Sequence, residues 1–543
     1  MNLFRFGLWA PLLISGLVVG CGSDHSASSG SASEPFVSVT GQVSLDTPRP
    51  RDPGGFAAAR FLEQASWGPN ERAVEEVRRL GFSAWIDQQT AMAPSLMNPP
   101  SFVINYNNID RAADIRAMNW VQSRFMDISL SGNDQLRQRV SWALFNFIPN
   151  NGGGHYAKSV YFNLLQRHAF SPYADLLKAV TLDSGMGEFL NNNQNIVGRP
   201  NENYARELMQ LFSVGLVLLN PDGTLMRNAR GQSIETYTQR DVVDATKALS
   251  GWKHVYMPNL PNSNGGNYGV PMRPHDDGRA HDYSEKRVLG KAITAGQSPE
   301  KDLETLLGIL VGHPNAGPFV SQRLIQHLVT SEPSPQYVAR VSKVFRETSG
   351  NLGQVVKAIL LDPEARAGDD PAGGSSAGRI KEPMFVTLGT LRAMSCSAAI
   401  SHYRPGSHPI GLGQDRLTPP SVFGYVSPFH RAPESLTLAP EQRLLTWNSF
   451  EDRSYFSRPF TRNLVNFRAA GCEVDAMLAA AQQSYEHFMV DASKRFFRGA
   501  MPPALMHQGL ALMRDANSNN SIADRVERVL AFLMLSPSYG VVK

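Results

Sequence analysis

Two short stretches of this 543-residue chain hold side chains whose types and spacing could do chemistry. The first is Asn201 to Gly215, NENYARELMQLFSVG. At about 100° per residue, Glu202, Asn203, Arg206, Glu207 and Gln210 share one arc of a helix, while Tyr204, Ala205, Leu208, Met209, Leu211 and Phe212 fill the opposite one. Amides and carboxylates around a single guanidinium make a polar face unlike the Lys-rich face of a solvated helix. Glu202 and Glu207 could serve as general base or ligand, and Arg206 could bind an anionic group. The second stretch is His281-Asp282-Tyr283-Ser284-Glu285-Lys286, shortly after His275-Asp276-Asp277. An imidazole beside a carboxylate suits a divalent metal such as zinc, with His281 and Asp282 as ligands, or a histidine oriented as general base. Lys286 adds a second cation for an anionic group. Short His and Asp strings are also common in solvated loops.

The same residues have a purely structural reading. Exposed, the Glu202 to Arg206 pair contributes only about 0.2–0.5 kcal/mol. Buried against the His281 loop, it would become a clasp, since removing one partner of a buried pair costs about 3–5 kcal/mol. The readings differ in geometry. A catalytic or ligand site requires these side chains to converge in a pocket with open donors or a free ligand position. A clasp requires them to pair off completely. The clasp, in a binding or assembly module, is the preferred reading, and metal-assisted or acid–base hydrolysis is the alternative. Most catalytic signatures are missing: the chain has no H-E-x-x-H, C-x-x-C, P-loop or EF-hand loop. Gly374-Ser375-Ser376-Ala377-Gly378 fits the letters of a nucleophile elbow, but no buried strand precedes it to support the turn.

The elements that must position these residues are mainly helical. Asn70 is placed to cap NERAVEEVRRLG, which stops at Gly81 before FSAWIDQQTA. RAADIRAMNWVQSRFMDISL, NDQLRQRVSWALFNFI, YAKSVYFNLLQRHAF and YADLLKAVTLD repeat the 3.6-residue pattern. After the opening helix, VLL, TLM and SIETY are short extended runs around the turn Asn220-Pro221-Asp222-Gly223, which predicts a small hairpin insertion. Thr238 and Asp241 form a capping box for TQRDVVDATKALSGW. From His254 to Gln297 the chain has no period and reads as a long irregular loop. Four more helical segments run from Ser298 to Asp362, then KEPMFVTLGTLRAMS restarts a helix, and helices close the chain around Met477 to Phe497, Pro503 to Asp515 and Ile522 to Leu535. The expected fold is a large multi-helix domain over 56–543, with a sub-boundary placed near 364–379.

Composition bounds the class. With 42% apolar and 18% charged residues the chain is globular, and a net charge of +4 without basic blocks leaves no footprint for nucleic acid. Arg5, the apolar run Phe6 to Gly20 and Val18-Val19-Gly20-Cys21 have the layout of an exported protein's signal peptide, residues 1–20. A single span at about 20 apolar residues is nearly within reach, but Pro11 and the lack of a charged stop-transfer cluster oppose it. Residues 21–55, rich in Ser, Gly and Pro, read as a flexible tether, with Phe36 to Val43 a short strand at most. Cys396 and Cys472 remain as an even pair in an oxidising compartment. A bond between them would close roughly 75 residues and contribute about 4 kcal/mol; two buried thiols are the alternative.

The N-terminal pattern resembles the lipobox of bacterial lipoproteins, which implies acylation at Cys21 and a lipid-anchored place in the cell envelope, on the outer membrane or the periplasmic face. Further in, NENYAREL, YTQRDVVDATKALSGW, HDYSEKRVLG, GHPNAGPFVSQRLIQHLV, KEP, GLGQDRLTPPSVFGY and LAFLMLSPSY occur in that order. Together they resemble the bacterial domain of unknown function 1800 family. The resemblance implies an exported, mainly helical protein, often encoded beside a second exported family that resembles sulfatases and alkaline phosphatases, and it implies no established activity. Its polar positions fall on Asn201, Glu202, Asn203, Arg206, Glu207, His281, Asp282, Lys286 and His313, with Asn201, Asn203 and His313 as ligand-binding candidates. This chain departs from the pattern at Asn191, where an aspartate is usual, and at Gly424-Tyr425, where Gly-Trp is usual. Losing a carboxylate at Asn191 weakens any metal site that would need it.

Overall fold

Asn70 suits a helix start because its side-chain oxygen can take an N–H that the first turn leaves free, and Oδ1 accepts from the Ala73 N–H at 2.8 Å. In this computed structural model of the chain, the described residues are 52–105, 110–255, 267–372, 378–397, 414–434, 437–445, 467–468, 471–515 and 521–542. The signal peptide, Cys21, the tether as far as residue 51 with its Phe36 to Val43 stretch, and Gly374 to Ala377 lie outside them. The described chain is mainly α, with strands only in small antiparallel two-stranded sheets.

Helices α1 (Gly55–Ala65), α2 (Glu71–Leu80) and α3 (Phe82–Ala91) follow one another, with Gly81 at φ 75 turning the chain between the last two. Then come α4 (Ser101–Ile104), α5 (Arg111–Ser131), α6 (Gln135–Phe147), α7 (Gly154–His168), α8 (Tyr173–Leu182) and α9 (Ser184–Phe189). Helix α6 is buried over its whole length, polar residues included. Its long side chains reach backbone carbonyls: Arg137 donates to Gln166 and Met92 oxygens, each at 2.9 Å, and Gln135 to the Gly132 oxygen at 2.7 Å. Around it Trp142 packs against Trp67 at 5.7 Å, Phe125 at 5.5 Å and Phe145 at 5.7 Å between ring centres. These aromatics centre the core.

Helix α10 (Asn203–Gln210) is shorter than the sequence pattern suggests. The Val214 and Gly215 N–H groups both fold back to the Met209 oxygen at 3.0 Å, and Gly215 takes φ +73, where its missing Cβ leaves room for the Phe319 ring. The three expected extended runs follow, and the third pairs with both strands of the hairpin. The Leu218 N–H donates to Ile234, Met226 to Leu218 and Ile234 to Met226, at 2.8, 2.8 and 3.3 Å. Each run thus pairs with both of the others, and the backbone closes in a ring.

Helix α11 (Gln239–Ala248) starts with the Thr238 and Asp241 capping box. The region after it is less irregular than its composition suggests. Strand β1 (Trp252–Lys253) pairs with β2 (Arg273–Pro274), and β3 (Lys286–Val288) with β4 (Lys291–Ile293). These pairings escape a periodicity argument because strands of two or three residues carry no pattern.

The chain continues through α12 (Pro299–Val311), α13 (Ala316–Leu328), α14 (Pro335–Glu347), α15 (Leu352–Leu361), α16 (Pro363–Arg366) and α17 (Pro383–Ala393), and ends with helices Val474–Gln483, Tyr485–Phe497, Pro503–Arg514 and Ile522–Leu535. Strand β5 (Arg379–Ile380) pairs with β6 (Val541–Val542) at the very end. Cys396 and Cys472 form a disulfide, and beside it the Glu473 N–H donates to the Met394 oxygen at 2.9 Å, fastening the end of α17 to the closing helices. Residues Pro50–Lys543 form one compact unit.

Candidate functional site

His281 sits in the interior, 4% exposed, on the chain that leads from β2 to β3. Gly251, at φ +89 after α11, makes room for it: a Cβ there would lie 2.9 Å from the His281 backbone nitrogen. His281 Nδ1 lies 2.9 Å from the Ser250 carbonyl oxygen and Nε2 lies 3.1 Å from Asp302 Oδ2. Since a carbonyl only accepts, Nδ1 carries a proton, and Nε2 can approach the carboxylate only with a proton between them. Lys286 Nζ donates to the same Asp302 Oδ2 at 2.5 Å and to the Asp282 carbonyl, and the Lys286 and Asp302 side chains are both 0% exposed.

Asp302 was not among the candidates from sequence. It lies in the first turn of α12, where the helix dipole favours a carboxylate. The signal that could have found it is an aspartate at the edge of the Leu303, Leu306 and Leu310 stripe.

This arrangement does not form the metal site considered from sequence. Both ring nitrogens of His281 are engaged, and the Asp282 carboxylate is turned back to Ser284, accepting from its N–H at 2.8 Å and its hydroxyl at 2.5 Å. Burial works against the Asp282 carboxylate, but those bonds, with Lys286 and Lys247 nearby, hold it below the usual carboxylate range. Among the described residues no group of three or more His, Cys, Asp or Glu side chains is arranged to share a metal ion. The neighbouring Asp276 pairs outward with Lys253, at 2.5 Å, and with Arg273.

Helix α11 straps the same segment down. Its Asp241 Oδ1 accepts from the Leu289 N–H at 2.7 Å, and its buried Asp244 accepts from the Arg287 N–H at 3.1 Å and from Lys247 Nζ at 3.0 Å. On the other side, buried Asn195 donates to the Thr246 oxygen at 2.8 Å, takes the Asn201 N–H at 3.2 Å on Oδ1, and takes the Gly251 N–H at 2.8 Å on its own carbonyl. One side chain therefore links the start of the α10 segment to the end of α11.

The polar arc of α10 faces a different neighbour from the one expected. Arg206 Nη2 lies 2.8 Å from Glu202 and 3.2 Å from Gln239 Oε1, and Gln239 Nε2 donates to Glu202 at 2.8 Å. This triangle is about one-third exposed at Glu202 and 41% exposed at Arg206. Among the described residues no hydrogen bond or ion pair joins it to His281 or Lys286, so the arc and the loop are separate clusters connected through Asn195. Asn201 closes a local turn before the helix, its Oδ1 accepting from the Asn203 N–H at 3.1 Å, and Asn203 reaches Asn191 Oδ1 at 3.4 Å. Asn191 adopts the left-handed φ of 61 that asparagine tolerates. His313 takes the Asn315 N–H on Nδ1 at 3.2 Å, while the Asn315 amide donates to the Val214 and Val217 oxygens at 2.9 and 2.7 Å. Burial lowers the His313 imidazole's affinity for a proton.

Two carboxylates leave an oxygen outside this pairing: Asp302 Oδ1 and Glu207 Oε2 are buried without a partner, as is the Tyr237 hydroxyl near Glu207. Burial raises the Glu207 carboxyl above its ordinary range, with Arg206 opposing.

A second interior cluster gathers other motif segments. Arg379 pairs with Glu382 and Glu441, each at 3.1 Å, and Gln414 donates to Glu382 at 2.6 Å. The guanidinium groups of Arg139 and Arg379 both donate to the His327 carbonyl, and burial together with Arg379 pushes the His327 imidazole down to about 3. Lys381 and Arg498 hold the two oxygens of Glu63 at 2.9 and 2.6 Å, and the Tyr539 hydroxyl meets Thr390 at 2.6 Å.

The family model described as "Protein of unknown function (DUF1800)" matches residues 60–541. No curated protein and no solved structure matches the chain.

Proposed function

The chain belongs to the DUF1800 family across nearly all of its described body, and on that premise we propose that it is an exported, lipid-anchored binding or assembly module whose polar motif residues act as structural clasps. The observation that carries this reading is the set of His281, Lys286 and Asp302: the imidazole and the ammonium share the buried Asp302 Oδ2, and neither ring nitrogen of the histidine is left open, while Asp302 Oδ1 stays buried without a partner. A catalytic histidine or lysine needs contact with a substrate, and these two are buried, His281 at 4% and Lys286 at 1% exposure. The Arg379, Glu382, Glu441 and Gln414 cluster supports the same reading, because there too the motif side chains hold one another. Membrane attachment is through acylated Cys21, and the partner is a second exported protein of the sulfatase-like kind that the resemblance implies.

The test is to purify the body that follows Cys21, measure its bound metals and its unfolding, and repeat both with His281→Ala and Lys286→Met. The expected result is no stoichiometric metal in the parent and a large loss of stability in both variants. A stoichiometric metal that His281→Ala removes while the fold survives would overturn the clasp. The hydrolase reading rests on the unpartnered Glu207 carboxyl. It requires that Glu207→Gln abolish a hydrolytic activity without changing the unfolding midpoint.

A further inference from the structure

We propose that the crevice between Phe423 and Phe429 binds a small organic anion with a flat apolar body, at a place remote in sequence from the clasp and independent of it. The crevice measures about 350 Å³ and is lined by the 421–430 segment and Arg443. That volume lies at the small-ligand end of the range of about 300–1,000 Å³ usual for such sites.

Its two aromatic walls are exposed, Phe423 by 44% and Phe429 by 59%, on a segment that is firmly held. Gly424, at φ +74, presses against α6 so closely that a Cβ would meet the Asn146 oxygen at 2.3 Å. The next residue, Tyr425, stacks on Trp142 with ring centres 5.8 Å apart, and its hydroxyl takes the Thr418 N–H at 3.2 Å while donating to the Asp415 carbonyl. Phe429 is held from behind by the Arg323 guanidinium, 4.5 Å from its ring centre and 5.2 Å from that of Phe319. Large apolar side chains kept in water on an anchored loop mark a contact surface.

The charge of the crevice selects the ligand. Arg443 lines it beside the His430 imidazole, and among the described residues no aspartate or glutamate lines it and neither side chain has an ion-pair partner. Ser421 and Ser427 belong to the same lining. A planar ring between the phenylalanines, with a carboxylate toward Arg443, satisfies both features, since guanidinium matches a carboxylate's two oxygens.

The probe is indole-3-acetate, titrated into the full-length chain by calorimetry and by saturation-transfer NMR, with the uncharged alcohol tryptophol and the free acid of Gly-Gly-Phe as comparisons. Saturable binding of indole-3-acetate is expected, with tryptophol and the Arg443→Gln variant each weakening it about tenfold or more. Phe423→Ala should weaken it similarly while leaving the unfolding midpoint in place, because that ring is largely in solvent. The proposal is overturned by no saturable binding at millimolar ligand, by equal affinity for acid and alcohol, by no change in Arg443→Gln, or by tighter binding of the peptide, which would make the crevice a site for chain ends.

Discussion

Lys286 and Arg206 are both cations beside carboxylates, yet their surroundings give them different weights. Lys286 and Asp302 are excluded from water, so Lys286→Met, which strands the carboxylate, should cost about 3–5 kcal/mol in urea unfolding. Arg206→Gln should cost no more than about 0.5 kcal/mol, because its pair with Glu202 is exposed. Comparable effects would count against the clasp. Asp183 offers a pH test at the same scale. Burial raises its carboxyl from 3.8 to about 7, despite the Met186 and Gly185 N–H groups that favour the anion. The folded chain therefore holds a proton that the unfolded chain has already released. Stability should fall as pH rises from about 4 to about 7, and the loss should be complete above that. Asp183→Asn keeps an oxygen for the Met186 N–H and should flatten this part of the profile in denaturant titrations from pH 4 to 8.

Among the elements, the junction of α11 with the His281 loop depends on a residue without a side chain. Gly251→Ala forces φ +89 on an L residue and drives a methyl into the His281 backbone. A loss of about 1–3 kcal/mol is expected, read as a lowered unfolding midpoint, and an unchanged midpoint would mean that the loop can move away freely. The disulfide is the other elementwise fastening. It closes a separation of 76 residues, so reduction should lower stability by about 4 kcal/mol in the chain-entropy model, measured as a shift in thermal unfolding with and without reductant. Local features of the elements were legible from the residues alone. Asn70, Thr238 and Asp241 cap helices through bonds spanning three residues, and such bonds need no tertiary partner. Helix α6 was not legible in that way. Its polar side chains are buried, and for Arg137 that burial is made tolerable by the Gln166 and Met92 carbonyls, which come from distant segments.

In the whole molecule, the motif segments that occur in order along the chain meet again in space. Asn195, Gly251, His281 and Asp302 tie the α10, α11 and α12 regions, while His327, Arg379, Glu382 and Gln414 tie α13, β5, α17 and the segment after it. No helix among the described residues is long and apolar enough to cross a membrane. The proposed lipid attachment at Cys21 has its own test. In a bacterial host, the full-length chain should take up radiolabelled palmitate and sediment with membranes. Cys21→Ala should lose the label and leave the membrane fraction, and a variant that remains there would refute lipid anchoring.

The sequence by itself determined the helical class, the caps and turns, the family and the two polar stretches, because periodicity and capping are local consequences of side-chain geometry. It could not decide whether Glu202, Arg206 and Glu207 face His281 and Lys286. That depends on which helices pack together, and the tertiary structure sends the arc to Gln239 and the loop to Asp302. Charge in a protein takes its meaning from burial and from the nearest opposite charge, and both are set by chain segments far apart in sequence.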